Sequence, residues 1–166
     1  MKIIFLDIDW VLIRFWDTEQ IRNTRSKKWD TWWIITSLDE DLVDNLYEII
    51  KETKACIVIS SSWRRWLYDK LRDEFYKNWD RLNFDLWHRV ISKTPYELWH
   101  WRWHEILTWI DEYHKNCWWN HIENWIAIDD DNFDMKCITR MWKLIHTQTH
   151  EWLTVEKMRE AIDKLK

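Results

Sequence analysis

Apolar and polar positions fall into blocks along this chain, and the spacing within each block separates strands from helices. Residues 3–8, "IIFLDI", are apolar on both faces at first, as a strand in the middle of a parallel sheet would be. "ACIVIS" at 55–60 repeats that pattern, "HRVIS" at 88–92 gives a shorter strand, and "NWIAID" and "KLIHT" at 124–129 and 143–147 supply two more. Between them the period lengthens. "SLDE" reads as a capping box, with Ser37 as N-cap and Glu40 three residues on, ahead of a stripe made by Leu42, Val43, Leu46, Ile49 and Ile50. Further helices are expected over 66–77, over 102–114 with Ile106, Leu107, Ile110 and Tyr113 inward, and over 154–165. The last has Thr154 as its N-cap and Val155, Met158, Ala161, Ile162 and Leu165 inward. Residues 14–36 mix both charges without a period and read as a long loop or flap. Strand alternating with helix predicts an α/β fold with a parallel sheet covered on both faces and right-handed crossovers. A length of 166 residues suits a single domain over 1–166.

Composition changes this picture at the turns. The chain has no glycine and 18 tryptophans, where an average chain of this length holds roughly a dozen glycines. Many tryptophans stand in turn-like contexts such as "YKNWDR", "RMWKL" and "HEWLT", so Trp10, Trp66, Trp79, Trp142 and Trp152 are expected at places that suit glycine. Trp109 instead continues the apolar face of its helix and reads as packing. Cys56, Cys117 and Cys137 are an odd number without CxxC spacing, which suggests neither a disulfide framework nor a zinc site. The formal net charge of −4 argues against a generally basic nucleic-acid coat. No stretch approaches the roughly 18 to 20 apolar residues of a membrane span, and no basic start leads into a long apolar run. A cytoplasmic protein is expected.

The candidate chemistry sits at strand ends. "DID" follows the first strand, "SSS" the second and "DDDNFD" the fourth, and in an open parallel sheet ligands bind beyond those ends. Each cluster alone reads equally well as a solvated turn. Brought together, Asp7, Asp9, Asp129, Asp130, Asp131 and Asp134 would repel one another unless a cation sat among them. All-oxygen donors point to Mg²⁺.

In this order the clusters resemble the haloacid dehalogenase (HAD) superfamily of phosphohydrolases. "FLDIDWVL" is similar to that family's first motif and departs from it where the usual following glycine is Trp10. "CIVIS" is similar to the second motif and "IAIDDDNFD" to the acidic fourth. In detail "VISSSWR", "TPYEL" followed by "RWHEILTWI", and "AIDDDNFDM" look most like the HAD domains associated with RNA repair proteins. The resemblance spans nearly the whole chain and implies a HAD-like Rossmannoid three-layer sandwich. It also implies an Mg²⁺-dependent phosphatase working through an aspartyl-phosphate. Asp7 would be the nucleophile and Asp9 the general acid and base. The metal would be held by Asp7, the Asp9 backbone carbonyl and Asp130, with Asp129 or Asp134 assisting, and Ser60 would bond the phosphoryl oxygens. For the basic third motif Arg102, at the start of a helix preceding the acidic strand, fits best, and Lys93 in "SKTP" is the alternative.

Members acting on small molecules usually carry a large cap after the first motif, and here only about residues 14–36 are available. The resemblance therefore implies a capless or flap-only site, open to a large phosphorylated substrate such as an RNA or DNA end. Arg14, Arg22, Arg25, Lys27 and Lys28, with Arg64 and Arg65, could track a phosphate backbone, although Asp17, Glu19 and Asp30 are interspersed on the same segment. Trp63 reads as a base-stacking candidate or as core. His100 and His104 have the spacing of a metal pair without an evident third ligand. Two rival readings are a catalytically silent HAD-shaped binding module and a phosphatase of small molecules or nucleotides.

Overall fold

The computed structural model describes residues 1–14, 38–96, 100–117, 119–148 and 151–166, with Trp66 described by its backbone alone. The elements in chain order are β1 (Lys2–Leu6), α1 (Glu40–Thr53), β2 (Cys56–Ile59), α2 (Trp63–Trp66), α3 (Tyr68–Lys77) and α4 (Trp79–Leu82). A 3₁₀ turn (Leu86–Arg89), β3 (Val90–Lys93), α5 (Arg102–Asn116), β4 (Asn124–Asp129), α6 (Lys136–Arg140), β5 (Leu144–His146) and α7 (Val155–Leu165) follow. The five strands form one sheet in the order β3-β2-β1-β4-β5, all parallel. Strand order reverses beside β1, which makes its carboxyl end the place for a crevice.

Alternation along β1 divides the core. Ile4 and Leu6 join Ile57, Ile59, Ile126 and Ile128 in a cluster with Leu42, Val43, Leu46, Ile49 and Ile50 of α1 and Ala161, Ile162 and Leu165 of α7. Ile3 and Phe5 join Val58, Ala127 and Leu144 in a second cluster with Ile106 and Trp109 of α5 and Ile138 of α6. Two buried faces with a helix layer on each make a three-layer α/β sandwich, as the resemblance implies. The five fully buried apolar side chains of α1 contribute about 1.5–3 kcal/mol each, which fixes that helix on the sheet more firmly than its own propensity would. On the other face the Phe5 ring meets Trp109 and Trp125 edge-on at 5.4 and 5.7 Å, so Trp109 is packing, as expected.

Several boundaries differ from the sequence expectation. Helix α1 starts at Glu40 with Asp39 at the N-cap; Ser37 lies outside the described residues, as does the expected loop or flap over 14–36 apart from Arg14. The helix expected over 66–77 is broken at Leu67 into α2 and α3, and the expected third strand begins only at Val90 because His88 and Arg89 belong to the 3₁₀ turn. Thr154 does cap α7, accepting the Lys157 N–H at 3.4 Å, but Val155 is exposed rather than inward. Leu107, Ile110 and Tyr113 pack against the second cluster while remaining partly exposed.

Trp10, Trp142 and Trp152 have φ of 57°, 59° and 47°. A side chain in this left-handed region costs roughly 1–2 kcal/mol, which glycine escapes. Trp142 follows α6 in a Schellman motif: its N–H donates to the Thr139 carbonyl at 3.0 Å and the Lys143 N–H to the Ile138 carbonyl at 3.2 Å. Trp66 and Trp79 do not share this property, for both lie in helical backbone within α2 and α4.

Candidate active site

In-register pairing sets the ends of three strands level. Leu6 lies opposite both Ile59 and Ile128, so the next residues, Asp7, Ser60 and Asp129, stand side by side across β1, β2 and β4. The ladder carries on at that level, with the Asp7 N–H on the Ile128 carbonyl at 3.0 Å and the Ser60 N–H on the Leu6 carbonyl at 2.8 Å. All three are buried. The Ser60 hydroxyl has no hydrogen-bond partner among the described residues, an arrangement that costs free energy unless a ligand oxygen completes it.

After Asp7 the chain turns tightly: the Ile8 carbonyl accepts the Val11 N–H at 3.3 Å and the Leu12 N–H at 2.9 Å. Trp10 is the third residue of that turn, the place where a type II turn takes positive φ. The turn carries Asp9, whose Oδ1 accepts the Trp63 Nε1–H at 2.9 Å. Burial and the neighbouring Asp7 charge push the Asp9 carboxyl up to about 6. An acid in that range can both give and take a proton near neutral pH.

The acidic loop after β4 is built by its own carboxylates. Asp129 Oδ1 accepts the Asp131 N–H, and Asp131 Oδ1 accepts the N–H groups of Phe133 and Asp134, each at 2.9 Å. Asp134 Oδ1 in turn accepts the Arg102 N–H at 3.0 Å at the start of α5. That places Arg102 over the strand ends, its Nη1 at 2.7 Å from Asp129 Oδ2 and 3.1 Å from Asp7 Oδ1, with Nε at 3.8 Å from Asp134 Oδ2. Burial works against the guanidinium charge, but Asp7, Asp129 and Asp134 together outweigh it and hold its pKa above the ordinary value.

Asp7, Asp129 and Asp130 each bring a carboxylate oxygen within 4.8 Å of the other two. Burial first, then the Asp7 charge against the opposing Arg102, pushes Asp130 up to about 6; burial likewise raises Asp129 to about 8. Carboxylates held this close and dry favour protons or a metal over the bare anions. The donor set is entirely oxygen, which fits Mg²⁺. Asp9 and Asp134 stand outside this trio: Asp9 is turned to Trp63, and Asp134 is spent on Arg102.

Of the two third-motif candidates, Arg102 touches the strand-end carboxylates. Lys93 donates instead to the Arg64 carbonyl at 3.0 Å and lies 4.7 Å over the Tyr68 ring. Arg14 pairs with Asp39 and Asp41 and lies over Trp152; Arg22, Arg25, Lys27 and Lys28 are outside the described residues. The His100 and His104 rings stack at 4.6 Å, and no third ligand joins them among the described residues.

Three site roles escaped the sequence reading. Trp63 orients Asp9 through its indole N–H, from 54 positions away. Glu105 is buried against Arg64, whose guanidinium also donates to the Ser61 carbonyl at 2.6 Å. Thr147, beyond β5, donates its N–H to the Asp129 carbonyl at 3.1 Å and buries a hydroxyl that has no hydrogen-bond partner among the described residues. A helical reading of "RWHEILTW" places Glu105 four residues before Trp109, on the face that Trp109 continues, and that was the available signal.

Among the described residues no helix is long and apolar enough to cross a membrane. No curated protein and no solved structure matches the chain significantly. One family model does, described as the HAD domain in Swiss Army Knife RNA repair proteins, and it matches residues 3–158. With the parallel sheet and the acidic strand ends, that match over most of the chain means that this protein belongs to the HAD superfamily, in the family of HAD domains from Swiss Army Knife RNA repair proteins.

Proposed function

We propose that this chain is an Mg²⁺-dependent phosphatase that removes phosphate from nucleic-acid ends through an aspartyl-phosphate on Asp7. One observation carries the reading: Asp7 is paired with Arg102 within a trio completed by Asp129 and Asp130, while Asp9, two residues on, has a carboxyl raised to about 6.

An Asp7 oxygen attacks phosphorus as the bond to the leaving oxygen breaks, and protonated Asp9 supplies the proton that oxygen needs. The phosphoryl group is then on Asp7. Asp9, now a carboxylate, takes a proton from water as that water attacks phosphorus, which frees Asp7 and inorganic phosphate. Trp63 holds Asp9 through the transfer, and the Ser60 hydroxyl and Arg102 donate to phosphoryl oxygens. Asp7 and Asp130, with Asp129 or the Asp9 carbonyl, would hold Mg²⁺, which supplies charge neutralisation and alignment of the phosphate when bound.

Trp10 favours a second reading, a catalytically silent HAD-shaped module, because its left-handed backbone and large side chain sit beside Asp9. Turnover of an aryl phosphate with Mg²⁺, absent with a chelator, separates the two. A 3′- or 5′-phosphorylated oligonucleotide should be a better substrate than the mononucleotide. Asp9→Asn should slow poor leaving groups far more than good ones; equal loss for both would remove Asp9 as the acid.

A further inference from the structure

Beside the reaction centre, a cavity of about 410 Å³ is lined by Arg64, Arg65, Lys93, Thr94, Pro95 and Tyr96. It opens where β2 and β3 end, since the Thr94 N–H donates to the Ile59 carbonyl at 2.9 Å, one residue before Ser60. Three cations line it, and the buried Glu105 pairs with Arg64. The Arg65 guanidinium lies 3.8 Å from the centre of the Tyr96 ring, with Arg64 at 5.6 Å, and Tyr96 is 44% exposed. A cation stacked on an exposed aromatic ring at a phosphatase site is the combination that single-stranded nucleic acid uses: phosphate on the cation, base on the ring. The volume falls in the range of small-ligand pockets and suits one nucleotide.

From this geometry we infer a nucleotide subsite in which Tyr96 stacks on the base next to the scissile phosphate and Arg65 and Lys93 hold the adjoining backbone phosphate. This rests on the phosphatase reading for its place beside the scissile bond, yet binding can be measured alone. A fluorescein-labelled single-stranded hexanucleotide without a terminal phosphate should bind the parent protein, and Tyr96→Ala should weaken it about 5- to 150-fold, the range for one lost base stack. Arg65→Gln should lower the slope of log affinity against log salt by about 0.7, one phosphate contact. The ratio of kcat/KM for the phosphorylated hexanucleotide to that for an aryl phosphate should fall with the binding. Absence of hexanucleotide binding, or an unchanged affinity and ratio in Tyr96→Ala, overturns the subsite, including the case in which inorganic phosphate alone occupies the cavity. Tyr96-dependent binding in a protein that hydrolyses neither substrate would uphold the subsite and sink the phosphatase reading instead.

A separate observation concerns the tryptophans. We infer that those at positive φ, Trp10, Trp142 and Trp152, are read as glycine in the cell that makes this protein, through a codon reassigned from the tryptophan reading. No glycine occurs in the chain, and three of its tryptophans occupy backbone that glycine favours. Other tryptophans are integral: Trp63 and Trp109 are buried and donate their indole N–H to Asp9 and Ser92 at 2.9 and 3.1 Å. The gene should therefore carry two codons for this residue, UGA at positions 10, 142 and 152 and UGG at 63 and 109. Peptide mass spectrometry of the protein from its source should find glycine at the first three. UGG at every position, or tryptophan in those three peptides, overturns the inference.

Discussion

Replacing Trp142 by glycine and, separately, by alanine isolates the backbone from the side chain. Trp142 is 82% exposed, so the two variants lose the same small contact and differ only in what they ask of a left-handed residue at φ 59°. Alanine keeps the roughly 1–2 kcal/mol steric penalty of that conformation. Glycine escapes it but gives up about 0.4–1 kcal/mol through the greater freedom of its unfolded chain. Taking the middle of each range, Trp142→Gly should therefore be more stable than Trp142→Ala by about 0.8 kcal/mol. At about 2–4 °C per kcal/mol for a domain of this size, the midpoints should differ by roughly 2–3 °C. Trp79, in helical backbone, is the control, and its order should reverse, with alanine above glycine by about 0.5–1 kcal/mol. Urea unfolding of all four variants gives the free energies, provided the m-values agree. Alanine equal to or above glycine at position 142, with equal m-values, would mean that the left-handed backbone there carries no side-chain penalty.

Trp10→Gly should raise Mg²⁺-dependent turnover of an aryl phosphate severalfold by relaxing the turn that carries Asp9; a lower rate would show that the indole belongs to the site. In the metal-free protein the raised carboxyls bind protons more tightly folded than unfolded. Their contribution to stability is thus fully present below about pH 4 and is lost as pH rises through about 6 for Asp130 and about 8 for Asp129. At pH 8, Asp130→Asn should raise the metal-free melting midpoint and abolish the further rise that Mg²⁺ gives the parent, read by differential scanning calorimetry. Glu105→Ala leaves buried Arg64 without its carboxylate and should cost about 3–5 kcal/mol, while Arg64→Met with Glu105→Leu should recover most of the loss; urea denaturation distinguishes them.

The sheet was legible because its strands are apolar on both faces, and the strand ends announced themselves because carboxylates there break an apolar run. "FLDIDW" and "IAIDDD" carry both signals in six residues each. Short helices α4 and α6 were not legible, since four or five residues make barely one turn and no period can show. The break at Leu67 was hidden for a related reason: the apolar spacing continues across it. Within the site, Asp7 and Ser60 could be read from their own strands, whereas Trp63 on Asp9 and Glu105 on Arg64 join positions 54 and 41 apart. Such pairs depend on how the layers pack. Arg102 could be preferred to Lys93 for its place at the start of a helix before the acidic strand, but what aims it at Asp7, the Asp134 carboxylate on its backbone N–H, joins positions 32 apart.

If Asp7 takes the phosphoryl group, that group can be caught on it. Asp9→Asn, mixed with Mg²⁺ and an aryl phosphate with a good leaving group, should still release aryl alcohol in a burst but should be slow to free phosphate, having lost its base. Acid quenching and peptide mass spectrometry should then find a phosphoryl group on Asp7, and none when Asp7→Asn is added. A burst of aryl alcohol with Asp7 unmodified, together with an Asp7→Asn variant that keeps the parent's single-turnover rate, would contradict the covalent mechanism.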